Sequence, residues 1–427
     1  MSEDENKRIK AYFLQNARKV LKKPIGELKY PFLDPGSGYE GDLWDWDSYF
    51  TAKALCAAFD VFSDTDMENA GLLRATVAAH IKGCVQNFLA VQESDGYIPI
   101  MLSGSGLLAG YFHDEHKNGV PLNQHKPFLC QAALQAAEFV NDYDWIDVDK
   151  LALYLHYYEK YQFNERCGLY IWQDDIMIGI DNNPTVYYRA PRSSADIYLN
   201  SLMVAEFDAM AKILRIIGNK DEGLYVNKML RLKEAVNREM WDENDGIYYS
   251  QDVGFVKTER QHNGFTFHEG FAPKWNTVPL KIRFFACFLP LYAGICDERQ
   301  AEKLYEHLSS DDIMGQYGVR TLARNEKMYN LEKSNNPSNW LGAIWIVANY
   351  LVYKGLLRYN KTDIAEELRR KTVLLLEKNL EKYGDMFESY HPDTGEPNLF
   401  PGFLSWDLLA IELCGHSNPE GSLNEKK

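Results

Sequence analysis

Four stretches of the sequence carry side chains whose types and spacing could do chemistry. The first, PGSGYEGDLWDWDSYF (35–50), sets Trp44, Asp45, Trp46 and Asp47 at the start of an apolar-periodic helix. Trp46 can stack on a flat apolar ring face, and Asp47 can accept two hydroxyl hydrogen bonds at once, which separates epimers. The same position suits plain capping, with Asp47 or Ser48 as the N-cap. The second stretch, GLYIWQDDIMIGIDNNPTVYYRAPRSSADIYLNS (168–201), offers Asp174, Asp175 and Asp181, with Gly179, Pro184, Arg189 and Arg192 nearby. An Asp-Asn-Asn-Pro run is a turn former. Its apolar lead-in, IMIGI, would desolvate Asp181 and favour the protonated carboxyl that a general acid requires. In the third, NPSNWLGAIWIVANYLVYKGL (336–356), Trp340 follows a turn and is a stacking candidate. Trp345 and Tyr350 lie at helical spacing and read as core. The fourth, GDMFESYHPDTGEPNLFPGFLSWDLL (384–409), holds Glu388 between aromatic neighbours, with Phe403 and Trp406 leading into the last helix. A solvated strand-edge glutamate is the ordinary reading of Glu388.

Elements able to position these groups are mostly helical. Apolar residues recur at three- and four-residue spacing near 4–22, 47–62, 69–92, 126–141, 147–163, 194–218, 220–241, 278–293, 299–308, 340–359, 361–381 and 402–414. The spacing predicts twelve helices, which pair into six hairpins. Six hairpins can close into an inner and an outer ring, so the expected class is all-α, an (α/α)6 toroid with long loops and minor short β-strands. An apolar segment such as 341–357 would be inner, and a charged one such as 361–383 outer. GLYIW (168–172) and GIYYS (246–250) are the strand-like runs. The stretches 24–46, 98–125, 165–193, 244–277 and 310–339 read as long loops, rich in Trp, Tyr, Asp, Asn and Gly, suited to lining a ligand site. No Pro/Ser/Gly-rich linker divides the chain, so 1–427 is expected to be one domain, with an N-terminal helix within 1–23 and a polar tail at 415–427.

Other chemistries find little footing. Neither GxGxxG nor GxxxxGK[ST] occurs, which leaves nucleotide binding without a phosphate loop. The ten histidines form no HExxH; His125, in NQHKPF, reads as structural or as a hydroxyl binder, and the loop histidines His113, His116, His262, His268 and His391 form no obvious pair. Ser193 and Ser194 lack a GxSxG elbow. Seven scattered cysteines form no CxxC or Cys/His cluster, so no disulfide framework or structural zinc is expected. The formal charge of -15 repels phosphate backbones and anionic lipid, arguing against nucleic acid or a membrane as partner. No apolar run approaches the roughly 18 residues of a transmembrane helix. The charged N-terminus has no secretory h-region, so the sequence reads as cytoplasmic. A content of 27 Tyr, 21 Phe and 9 Trp suits apolar sugar faces, and equally an aromatic core.

In order and spacing these stretches resemble the clan of inverting (α/α)6 glycoside hydrolases, which holds the trehalases and family 63 with its α-glucosidases and mannosylglycerate or glucosylglycerate hydrolases. PGSGYEGDLWDWDSYF resembles the trehalase-type PGGRFxExYxWDxY, GIDNNP the clan's SG(M/W)D, ADIYLNS its VDLN, and NWLGAIW its WRGPVW. FESYHPDTGE followed by GFLSW resembles ENYxPxTGE followed by GFxWS. The resemblance implies Asp181 as general acid and Glu388 as general base. It implies Tyr39, Trp44, Trp46, Asp47, His125, Gly179, Trp340, Gly342, Trp345 and Tyr390 as the substrate subsite, with a small-molecule sugar as partner and no metal or organic cofactor. The two carboxyls of an inverting enzyme stand about 6.5–9.5 Å apart, with room for a water. Departures weigh on specificity: Gly38 replaces an arginine, Leu341 stands in the WRGPVW segment, QWDxPxGWxP is only faintly echoed by FAPKWNTVP (271–279), and the paired prolines before the third inner helix shrink to Pro127. These count against trehalose. A sugar 2-epimerase or isomerase on the same ring, and a sugar-binding protein without catalysis, are the alternative readings.

Overall fold

A computed structural model describes residues 6–104, 107–267, 273–332 and 338–415. His268, residues 271–272 of the FAPKWNTVP segment, residues 336–337 of the NPSN turn and the polar tail from 416 onward lie outside the described residues. Twelve of the helices among the described residues build a double ring: α1 (Lys7–Asn16), α2 (Asp45–Val61), α3 (Arg74–Ala90), α4 (Leu129–Val140), α5 (Val148–Tyr161), α6 (Ile197–Ile216), α7 (Glu222–Glu239), α8 (Leu289–Ala293), α9 (Glu298–Leu308), α10 (Ile346–Arg358), α11 (Thr362–Tyr383) and α12 (Ala410–Gly415).

Even-numbered helices form the inner ring. In turn, α2 packs on α4, α4 on α6, α6 on α8 and α8 on α10. Helix α10 packs on the 3-10 turn Trp406–Leu409 that leads into α12, and α12 closes the circle on α2. An inner helix has neighbours on all sides, so its sequence is apolar around the whole circumference: α6 is buried along nearly its full length, and α10 from Ile346 to Tyr353. Outer helices bury one stripe and leave the rest to charge, as in α11, where Ile364, Leu368, Leu375 and Leu376 face inward among many Lys, Arg and Glu. The chain's two ends supply the last pair, since α1 packs on α11 and α12.

Some helices are shorter than their apolar periodicity. Within 278–293, Val278–Pro279 is a strand paired with Gln251–Asp252, and helical structure begins only with the 3-10 turn Phe285–Phe288. Pro279 has no N–H to give a helix ladder. In 340–359 the helix starts at Ile346, because the backbone before it is extended and Ile344 exchanges hydrogen bonds with Tyr390. The 402–414 helix begins at Trp406 with a 3-10 turn. One helix, Leu107–Lys117, falls inside the expected loop 98–125, where Gly104 and Gly110 interrupt the apolar pattern. The strand-like runs are the second arms of hairpins, Phe163–Asn164 with Leu169–Tyr170 and Trp241–Asp242 with Ile247–Tyr248. Two further ladders matter to the site: Asp42–Trp44 with Met101–Ser103, and Phe387–Tyr390 with Pro397–Pro401.

Candidate active site

A cavity of about 570 Å³, counting the space open at its mouth, lies where the inner helices begin. Its walls come from the segments just N-terminal to those helices: Tyr39, Trp44, Trp46 and Asp47 at α2, Lys126 before α4, and Gly179 and Asp181 before α6. Ser338, Trp340 and Trp345 precede α10, and Glu388, Phe403 and Trp406 precede α12. Residues remote in sequence meet here because every connection from an outer helix to the next inner one ends at this face. The floor is aromatic. Trp340 stacks on Trp345 at 4.2 Å between centroids, and Trp46 meets Trp340 at 5.8 Å and Trp406 at 5.4 Å.

The start of α2 differs from simple capping by Asp47 or Ser48. The Asp42–Trp44 strand runs directly into the helix, so Trp44 is the N-cap and Asp47 lies inside the first turn. Asp45 takes the local structural work: its carboxylate accepts from Trp46 N at 2.7 Å and from Lys126 N at 2.7 Å, and pairs with Lys126 Nζ at 2.7 Å. Asp47 is thereby left to the cavity, where Ser405 donates to its Oδ1 at 2.9 Å. Burial pushes the Asp47 carboxyl up to about 7, opposed by the Ser405 hydrogen bond and the Lys126 charge.

Asp181 sits on the Asp-Asn-Asn-Pro turn, which forms as expected, with Asn183 N donating to Ile180 O at 3.2 Å. Ile178 and Ile180 of the apolar lead-in are each 1% exposed, whereas Ile176 points to solvent. Burial raises the Asp181 carboxyl above its ordinary range, against the Ser338 hydrogen bond and the Lys126 charge. Side chains tether the turn: Asn182 Oδ1 accepts from Trp340 N at 3.1 Å, and Asn183 Nδ2 donates at 2.9 Å to Asp196, the buried N-cap of α6.

Glu388 is not the solvated edge residue of the ordinary reading; it is 4% exposed. The ladder between Phe387–Tyr390 and Pro397–Pro401 shifts register between Phe387 and Ser389, with the extra residue on the facing strand, where Leu399 has a φ of +61. Its Oε1 accepts from the Tyr39 hydroxyl at 3.0 Å. Burial pushes it up to about 8; the Asp47 and Asp181 charges add to this, and the Tyr39 hydrogen bond opposes it. Glu388 Oε2, Trp44 Nε1 and Trp340 Nε1 are buried with no hydrogen-bond partner among the described residues. Buried polar atoms are ordinarily paired. These three, all in residues that line one cavity, form a ready set of one acceptor and two donors.

The cavity unites Tyr39, Trp44, Trp46, Asp47, Gly179, Asp181, Trp340, Trp345 and Glu388. Three nominated residues lie behind its wall. His125 is 2% exposed, with Nδ1 on Lys126 O at 2.7 Å and its ring edge-on to Phe88; the next residue, Lys126, takes the lining position. Tyr390 donates to Asp407 Oδ2 at 2.9 Å and accepts from Phe387 N, bracing the strand from beneath. Gly342, at φ +128, lies against the Tyr329 ring, which a Cβ would meet at 2.3 Å, and its N–H donates to Thr321 Oγ1. Asp174 and Asp175 serve their own loop, accepting from Asn123 and Ile176 N and from Tyr188 N. Lys126 and Ser338 escaped sequence reasoning. For Lys126 the available signal was a lysine standing where the resemblance leads one to expect paired prolines. Among the described residues no histidine lines the cavity.

Comparison with known proteins fixes the family. The family described as mannosylglycerate hydrolase MGH1-like glycoside hydrolase domain matches residues 41–406. The chain belongs to this family. It is 22% identical to alpha-glucosidase 2 of Arabidopsis thaliana over 416 residues, covering 88% of this chain and 50% of the relative. The chain spans about half the length of the curated relatives it matches. In fold it is similar to the GH63 mannosylglycerate hydrolase of Thermus thermophilus in complex with glucose, with a TM-score of 0.64 at 17% identity over 93% of this chain and 98% of that one. The neutral trehalase of Saccharomyces cerevisiae gives a TM-score of 0.58 at 15% identity over 92% and 76%. The glycoside hydrolase domain and its neighbours share the (α/α)6 toroid. No helix among the described residues is long and apolar enough to cross a membrane.

Proposed function

We propose that this protein is a glycoside hydrolase that cleaves a short α-linked glucoside or mannoside with inversion, with Asp181 as general acid and Glu388 as general base. One observation carries the reading: the cavity joins two buried carboxyls, Asp47 and Glu388, and the half-buried Asp181 to an aromatic floor, and it holds three buried polar atoms, two donors and one acceptor, without partners among the described residues. A sugar ring offers what this set lacks, apolar faces for the tryptophans and hydroxyls for the unpaired N–H and carboxylate groups.

Asp181, on its desolvated turn, gives its proton to the departing glycosidic oxygen. Glu388, with Oε1 held by Tyr39, uses Oε2 to take a proton from the water that attacks the anomeric carbon from the opposite face. One C–O bond breaks and one forms, and the released sugar carries inverted configuration. Epimerase chemistry on the same ring calls for histidines at the mouth, and among the described residues none lines the cavity. Mannosylglycerate, trehalose and α-glucosides, the substrates named by similar proteins, are the first compounds to assay. The acidic composition and seven free cysteines are in keeping with a cytoplasmic enzyme.

The test is proton NMR during the first minutes of reaction with a panel of α-glucosides and α-mannosides, glycosyl-glycerates included. A β-anomer appearing first is the expected result. An α-anomer first, or no released sugar from any member, would overturn the reading.

A further inference from the structure

We propose that Lys126 donates a hydrogen bond to a hydroxyl of the sugar held at the floor of the cavity, and thereby helps select which sugar the site accepts. This rests on the glycosidase reading above. The Lys126 side chain is 2% exposed yet lines the cavity. Asp45 grips it twice, at the backbone N and at Nζ, both at 2.7 Å. Its Nζ lies 5.2 Å from the Trp46 ring centroid. Its stem runs under Gly179, where a Cβ would come within 3.0 Å of Lys126 Cδ. Held on three sides, the ammonium has little freedom to leave the cavity wall.

An ammonium carries three N–H donors, and among the described residues Asp45 is the one partner of Nζ. A buried donor left without an acceptor is costly, so the remaining N–H groups call for an oxygen from the ligand. That oxygen is a neutral hydroxyl. Asp45 already balances the lysine's charge, and Asp47, Asp181 and Glu388 line the same cavity, so an anionic group there would meet like charge. It belongs to the retained sugar and not to the leaving group, because Lys126 packs on the floor tryptophan beneath the loop that carries Asp181. Asp47, whose carboxyl feels the Lys126 charge, supplies an acceptor beside this donor. A donor and an acceptor set together discriminate the orientation of neighbouring hydroxyls.

Replacing Lys126 alone would strand Asp45 as an uncompensated buried charge. The test therefore uses the double variant Asp45→Asn/Lys126→Met beside the wild type, with calorimetric binding of glucose, mannose and each of their monodeoxy derivatives. Wild type is expected to bind one monodeoxy sugar roughly 10- to 100-fold more weakly than its parent. In the double variant that ratio should collapse towards one while the other ratios stand. The same parent-to-deoxy ratios in both proteins would overturn the proposal. Should circular dichroism find the double variant unfolded, Lys126→Arg keeps the charge but moves the donors; unchanged ratios there would equally overturn it. Hydrolysis of α-glycosides by wild type with unmoved ratios defeats the Lys126 assignment alone. A wild type that neither binds these sugars nor hydrolyses their glycosides defeats both readings.

Discussion

Asp181 and Glu388 reach one cavity from two different kinds of backbone. Asp181 rides a turn whose place depends on side-chain tethers, Asn182 to Trp340 N and Asn183 to Asp196. Glu388 rides a strand held by a backbone ladder and by the paired hydrogen bonds between Ile344 and Tyr390. Their electrostatics differ in the same sense. Asp181 has the Lys126 charge and the Ser338 hydrogen bond opposing its burial, whereas Glu388 has the Tyr39 hydrogen bond alone, with two carboxylates adding to the upward push. Position is therefore fragile at the turn, and charge is fragile at the strand.

The largest expected effect falls on both groups alike. Asp181→Asn and Glu388→Gln should each lower kcat by roughly 10²- to 10⁴-fold on the true substrate, measured by sugar release. Stability should tell them apart from a generic lesion. Glu388 in the fold is pushed up to about 8, above its ordinary value, so the fold favours its protonated form. That contribution is full below the unfolded carboxyl's value near 4.5 and is lost as pH rises through about 8. Wild-type Tm should thus decline between pH 5 and pH 8, and Glu388→Gln should flatten the decline. Parallel Tm–pH curves for the two proteins would break the contrast in charge.

Tyr39→Phe comes next. On the proposed mechanism the active form holds one proton between the two carboxyls, and kcat/KM is expected to fall above about pH 8 as that proton leaves. The Tyr39 hydroxyl favours ionised Glu388, so its removal raises the carboxyl further and moves the alkaline limb to higher pH. At pH 7 less enzyme holds Glu388 ionised, and kcat/KM should drop ~10-fold. An unmoved limb would remove Tyr39 from control of the base.

The smallest effects separate the two kinds of support. Asn183→Ala cuts a side-chain tether of the Asp181 turn and should cost about 5- to 10-fold in kcat/KM. Tyr390→Phe removes a hydroxyl that bonds Asp407 and Phe387 N, outside the cavity, and should cost less than about 3-fold, because the ladder still holds the strand. Equal losses in the two variants would erase the difference between turn and strand.

Much of this was legible in the residues. Helical spacing anticipated the ring and told the apolar inner α10 from the charged outer α11, because a helix surrounded by protein has no polar face to offer. Trp46, Asp47, Asp181, Trp340 and Glu388 could be nominated because their neighbours, a helix start, a turn, an aromatic strand, are local features. What only the tertiary structure decided involves partners far apart in sequence. Lys126 entered the site through Asp45, 81 positions away, an ion pair with no local signature. Glu388 meets Tyr39, 349 positions away, and Tyr390 meets Asp407 on another element, so the partners of this short strand are set by the folded ring and not by its own residues. Sequence periodicity records which faces are buried, but not which distant residue a buried group will meet, because that is decided only when the ring closes.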